Sequence, residues 1–455
     1  MNPREVGWHT NWEIHMIRIL TASSLALAAS LSAAAAQTEV HWWHAMGGEL
    51  GQKLEAIVAG YNESQTDYRV IPTYKGTYPE TMTAAIAAFR ADEQPAIVQV
   101  FEVGTGTMMA AQGAIYPVHQ LMEDMGEPFD PAGFLPSVVG YYTDTEGNLL
   151  SMPFNSSTPI MYYNKDVFEA AGLDPEQPPK TWEELEQFSR QIIESGAAPC
   201  GFTTAWISWI HTENLSAWHN QPIGTQENGF AGFDTELTLN GPVQVRHWEN
   251  LARWQEDGLF QYGGPGGGDD APPKFYSGEC AIFFNSSAGR AGVVTNATDF
   301  EVGYGMLPYY ADVEGAPQNS IIGGATLWVL QGHDEETYRG VADFFSHLSS
   351  PEVQAEWSQG TGYLPITQAA YDLSTEQGFF EANPGTELSI QQITLNEPTE
   401  NSKGLRFGNY VQVRGIIDEE FQSLLAGEQD AQAALDAVVE RGNAMLREFE
   451  TTAGN

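Results

Sequence analysis

A site for a small polar molecule needs flat aromatic surfaces, hydroxyl readers and a means of holding charge. A tryptophan covers the apolar face of a polyol or holds a quaternary ammonium. A carboxylate accepts hydrogen bonds from two neighbouring hydroxyls. An anionic head is held by Arg, hydroxyls and free backbone N–H groups. The chain groups such residues at Trp42-Trp43-His44, Gly76-Thr77-Tyr78, Phe101-Glu102-Val103-Gly104, Asn155-Ser156-Ser157 and Trp206-x-x-Trp209. Taken singly, each cluster is more often core or loop than site.

Patterns for covalent or metal chemistry are missing from the sequence. There is no G-x-S-x-G, no H-E-x-x-H, no Walker A sequence and no Cys/His zinc spacing. His41 and His44 stand three apart, which puts them on opposite faces of a strand and argues against a joint metal site. Asp269-Asp270 reads as solvated loop, and Asp312-x-Glu314-Gly315 lacks the remaining ligands of an EF-hand. Gly263 to Gly268 (GGPGGG) is a flexible loop with no Lys-Ser/Thr behind it, so it is no phosphate loop. Among 60 Asp+Glu, paired carboxylates arise by chance, and no glycosidase pair is nominated. The reading is a binding protein, not an enzyme, with no cofactor and no metal.

The chain has 455 residues, 19 Lys+Arg against 60 Asp+Glu, a net charge of −41 and 11 % aromatics. It is long enough for two or three domains and too aromatic for wholesale disorder. Its charge argues against nucleic acid or an anionic membrane surface as partner. Met16-Ile17-Arg18, the apolar run Leu20 to Leu31 and Ala34-Ala35-Ala36 have the layout of a secretory signal, with residues 1–15 as an upstream extension. Cleavage would leave Gln37 first. No later stretch is apolar enough to span a membrane. Cys200 and Cys280, in that oxidising setting, either form one disulfide or remain two buried thiols.

The elements that must position the clusters follow from periodicity. Val40 to Trp43, Tyr68 to Tyr74 and Ala96 to Phe101 read as strands. Leu50 to Tyr61 reads as a helix, and a second helix opens at Pro79. This β-α-β-α-β order predicts an α/β domain with a mostly parallel sheet. Leu150 to Asn164 is extended and aromatic, a crossing point between lobes. Thr181 caps a helix through Glu184. Ala325 to Leu330 is a further apolar run, and helices split near Gly427 follow Asp418.

Longer stretches carry a family resemblance. They include WWHAMGGELG (42–51), PTYKGTY (72–78), IAAFRADEQPAIVQVFEVGTGTMMA (86–110), PFNSSTPIMYYNKDVFEAAGLDPEQPPKTW (153–182), APQNSIIGGATLWVLQG (316–332), TGYLPIT (361–367), KGLRFGN (403–409) and ERGNAMLREFE (440–450). The chain resembles the glycerophosphate receptors among the family 1 extracellular solute-binding proteins of bacterial ABC uptake systems. The resemblance implies an α/β, two-lobed periplasmic-binding-protein fold with discontinuous lobes and an interlobe ligand cleft. Residues 37–150 with about 305–362 would form lobe 1, and 151–304 with about 363–455 lobe 2.

It also implies site positions. Tyr78 and Glu102 match positions at the glycerol end of the ligand. Ser157, Gly324, Tyr363 and Arg414 match positions associated with the ligand and its phosphate. Ser286 matches another, in altered surroundings, and Trp206 matches a tryptophan packed over the ligand. The implied function is a periplasmic receptor for sn-glycerol-3-phosphate and glycerophosphodiesters such as glycerophosphocholine. Its partners would be inner-membrane ABC permease subunits, and it would act as a monomer. An oligosaccharide receptor of the same family is the alternative; a secreted phosphodiesterase would need a metal cluster or nucleophile that the sequence lacks. Glu102→Ala or Arg414→Ala is expected to weaken binding and leave the fold intact.

Overall fold

The structure, a computed structural model, describes residues 37–453 except 112. The expected export signal lies outside the described residues. Among the described residues, eleven strands form two sheets. They are β1 (Thr38–His44), β2 (Tyr68–Tyr74), β3 (Ile97–Phe101), β4 (Ile115–Tyr116), β5 (Met152–Ser157), β6 (Pro159–Asn164), β7 (Cys200–Thr204), β8 (Phe260–Tyr262), β9 (Cys280–Ser286), β10 (Val302–Gly305) and β11 (Gly323–Leu330). The first sheet runs β2-β1-β3-β11-β4, with β5 paired to β11, and the second β10-β6-β9-β7-β8.

The local signals explain the first sheet. β1 pairs in parallel with β2 and β3, joined by helices α1 (Gly48–Ser64) and α2 (Tyr78–Arg90). Thr77 caps α2 in a box with Glu80, and Pro79 sits in its first turn, where no amide donor is needed. β3 is buried along its whole length, as a strand covered on both faces must be. The expectation of a mostly parallel sheet is corrected: β11 runs antiparallel to β3, β4 and β5, so the sheet is mixed. β11 arrives from the second half of the chain rather than through a crossover helix, and nothing requires it to be parallel. β5, expected to open the second lobe, pairs with β11 in the first sheet.

The chain passes between the sheets at Thr158. That residue is tied to the other connecting segments: its Oγ1 hydrogen-bonds to Ser320 Oγ, and Gln392 Nε2 donates to it and to Pro159 O. In the second sheet Cys200 and Cys280 face each other on parallel β7 and β9 and are bridged. The pair encloses a loop with a sequence separation of 80. Replacing both cysteines by alanine is expected to cost roughly 2–4 kcal/mol, because the link restricts the unfolded chain. Urea unfolding of the oxidised protein and the double variant measures this.

Candidate functional site

The ends of β3 and β5, the start of β11 and helix α3 (Tyr410–Leu425) converge on one buried charge cluster. Arg414 projects from the second turn of α3. Its Nη2 donates to Glu102 Oε1 at 2.5 Å and to Glu213 Oε2 at 2.6 Å, and its Nε donates to Glu213 Oε1 at 2.8 Å. Glu102 sits at the carboxyl end of β3 in a short 3-10 turn. Glu213 lies on a π-helix, Trp209–Asn214, a geometry concentrated at functional sites. All three side chains are almost fully buried. Burial pushes both carboxyls upward, while the Arg414 guanidinium opposes that shift. Two carboxylates against one guanidinium leave the trio formally one unit negative. Arg414 Nη1 has no partner among the described residues. The expectation that Arg414→Ala leaves the fold intact is corrected, because truncation strands two buried carboxylates.

An aromatic wall adjoins this cluster. Tyr78 stacks on Phe101 with ring centroids 5.2 Å apart, and the Arg414 guanidinium lies 5.8 Å from the other ring partner, Phe101. The Tyr78 hydroxyl accepts from Asn155 Nδ2 at 3.1 Å. Asn155 Oδ1 accepts from Gln99, which in turn accepts from the Ala45 amide. Tyr363 stacks on Trp357, and its hydroxyl donates to Met46 Sδ at 3.8 Å. This buried relay holds the Tyr78 hydroxyl in one place and rigidifies the wall. Burial drives the Tyr78 phenol well above its ordinary range, so it stays a neutral donor.

Ser157 and Gly324 occupy the β5–β11 ladder: Gly323 pairs with Ser157 and Gly324 with Ser156. Trp206 follows β7 with φ +51, a left-handed conformation uncommon for a bulky residue and a mark of functional sites. Gly267 lies against its ring. The neighbouring Gly266 N–H donates to Asp418 Oδ2 at 2.8 Å, one turn beyond Arg414 on α3. The GGPGGG loop thus ties the Trp206 side of the cleft to the Arg414 side. Ser286 caps a short turn, its Oγ accepting from Ala288 N at 3.1 Å, which leaves its own O–H to donate. Its neighbour Ser287 is buried, with Oγ unpartnered among the described residues, and its carbonyl abuts Gly362 beside Tyr363. Sequence reasoning missed Glu213, Asn155's role, Ser287 and Asp418. Of the clusters weighed first, Trp42 and His44 are buried in the core.

Asp418 gives the site a pH dependence. Burial pushes its carboxyl up to about 6, against the Gly266 amide and Arg414, which pull it down. A raised pKa means the folded state binds the proton more tightly. That stability is fully present below the ordinary carboxylate range near 4 and is lost as pH rises through about 6. Asn keeps an acceptor for Gly266 but cannot ionise. Asp418→Asn is therefore expected to match the parent near about pH 3 and to exceed it by about 3 kcal/mol near about pH 7.5. Urea midpoints at both pH values decide this.

The two sheets and the segments joining them form the two-lobed α/β fold of solute-binding proteins. A family model described as bacterial extracellular solute-binding protein matches residues 56–387, and the chain belongs to that family. It is 48 % identical over 441 residues to the sn-glycerol-3-phosphate-binding periplasmic protein UgpB of Yersinia pseudotuberculosis, covering 97 % of this chain and 99 % of that one. Identity to the UgpB protein of Rhizobium meliloti is 50 % over 414 residues, 91 % and 95 % of the two chains. The solved structure of UgpB from Mycobacterium tuberculosis in complex with glycerophosphocholine superposes with a TM-score of 0.74 at 21 % identity, covering 91 % of this chain and 99 % of the other. Among the described residues, no helix is long and apolar enough to cross a membrane, and no group of three or more His, Cys, Asp or Glu is placed to hold a metal ion.

Proposed function

We propose that this protein is the periplasmic receptor of an ABC importer, binding sn-glycerol-3-phosphate and glycerophosphodiesters and passing them to inner-membrane permease subunits without chemical change. The likeness to UgpB proteins along nearly the whole chain supports this reading. The single observation that carries it is Arg414 held between Glu102 and Glu213 with Nη1 left over, beside the stacked Phe101 and Tyr78 rings. In this reading Nη1 meets a phosphate oxygen. Glu102 accepts from vicinal hydroxyls, Ser157, Ser286 and Ser287 donate, and Trp206 covers the ligand. Gly324 brings the β11 backbone to the ligand, and Ser286 fixes the turn that presents Ser287. The lobes are the bodies around the two sheets, closing on ligand because it contacts both.

The excess of carboxylate over guanidinium orders the ligands. A phosphate monoester brings nearly two negative charges to a negative site, whereas glycerophosphocholine brings its own cation, suited to an aromatic face. Titration calorimetry of the protein freed of residues 1–36 is expected to show tighter binding of glycerophosphocholine than of sn-glycerol-3-phosphate, by about tenfold or more, and none of maltose. Binding of maltose alone would replace this reading with the oligosaccharide receptor.

A further inference from the structure

A cavity of about 460 Å³ lies between the helix Pro136–Tyr142, the segment entering β11 and the turn that precedes α3. None of the residues assigned to the cleft lines it. Its volume suits a small molecule, and such sites are mostly apolar with a few placed polar groups. Phe230, Ile321, Ile322 and Ile393 supply the apolar wall, and Lys403 and Arg406 the cations.

The two cations are not equivalent. Lys403 pairs with the Glu227 carboxylate. Arg406 is 9 % exposed and has no carboxylate within ion-pair distance among the described residues, in a chain where Asp+Glu outnumber Lys+Arg 60 to 19. Its Nη2 donates only to the Gly140 and Tyr141 carbonyls, at 2.9 and 3.0 Å, and its guanidinium lies 4.4 Å from the Phe230 ring. Nε is buried without a partner, and Nη1 bonds to nothing among the described residues. The one carboxylate on the cavity wall, Asp144, is turned into its own loop, accepting from the Glu146 and Asn148 amides and from Asn148 Nδ2. Burial pulls Arg406 down to about 10, so it is still a cation at neutral pH. A buried cation without a counter-ion is costly unless something completes it. The Asn319 carboxamide oxygen at the same cavity is likewise buried without a partner among the described residues.

We propose that this cavity is a second ligand site, taking a small organic anion whose carboxylate or phosphate head meets Arg406 and whose apolar body lies against Phe230 and Ile321, Ile322 and Ile393. The −41 net charge does not forbid it, since salt screens distant charge beyond about 10 Å.

The test uses mandelate and phenyl phosphate as probes, benzyl alcohol as the neutral control, and ligand-observed NMR titration of the full receptor. Saturable binding of either anion, at least about tenfold tighter than the alcohol, is expected. Arg406→Gln should abolish it. Because Arg406 also holds two carbonyls, Gly140→Leu provides a variant that leaves them alone. A Cβ at Gly140 points into open space, and the larger side chain fills the cavity. Tyr78→Phe, in the cleft, should leave probe binding unchanged. No saturable binding up to millimolar probe overturns the proposal, as do binding that survives Gly140→Leu, binding lost in Tyr78→Phe, and benzyl alcohol binding as tightly as the anions.

Discussion

Replacing Arg414 by alanine is expected to destabilise the protein by about 3–5 kcal/mol and to weaken ligand binding by at least about a hundredfold. The size follows from what is left behind. Glu102 and Glu213 are 3 % and 0 % exposed as side chains, and Arg414 is the one cation among the described residues that either contacts. Without it, two like charges share a dry pocket and must be desolvated, protonated or expelled. The same geometry separates stability from function. Arg414→Met combined with Glu102→Gln and Glu213→Gln removes every charge of the trio, and replacing a buried ion cluster by neutral groups is often tolerated. That triple variant is expected to recover most of the lost stability and none of the binding. Urea unfolding followed by tryptophan fluorescence, alongside calorimetric titration, reads both quantities. A single variant with parental stability would mean that the Glu102–Arg414–Glu213 contacts do not persist in solution.

The parts of the fold that could be read from sequence are those set by neighbours in the chain. Thr77 with Glu80 and Thr181 with Glu184 announce helix starts because both partners of each capping box lie within four residues. The strand Tyr68–Tyr74 begins and ends where its composition suggests. The direction of β11 is not local information, since its partners lie in β3, β4 and β5, and a parallel expectation drawn from the first hundred residues could not reach it.

The site divides along the same line. Tyr78, Glu102 and Arg414 could be nominated because matched motifs surround them. Glu213 could not: it is one acid among 60, and its partner lies 201 residues away. Its only local mark would have been the Trp206-x-x-Trp209 cluster just upstream, which drew attention to the rings rather than to the carboxylate behind them. Ser286 and Ser287 stand next to each other, and only the backbone decides which hydroxyl caps the turn and which is left over.

Gly324→Ala is expected to cost several kcal/mol and to abolish binding even in the fraction that folds. Gly324 has φ +100, where a β-carbon is strained, and a Cβ built there would stand 1.9 Å from the Asn155 carbonyl oxygen. That oxygen belongs to the β5 backbone, so no side-chain rotation relieves the clash. The two strands must part where the ladder between Ala325 and Thr326 is already irregular. Parting them moves Asn155, whose Nδ2 fixes the Tyr78 hydroxyl, and Ser157, two residues on. The stability loss and the binding loss therefore share one cause, unlike those of Arg414, and no second substitution at a side chain should restore either. Gly415 serves as the control: it lies on α3 next to Arg414, and a Cβ there meets nothing within 4 Å. Gly415→Ala is expected to leave the urea midpoint unchanged or slightly raised, since alanine is the better helix former by about 1 kcal/mol. Equal midpoints for Gly324→Ala and the parent would show that β5 and β11 are not held at the separation on which the Tyr78–Asn155 contact depends.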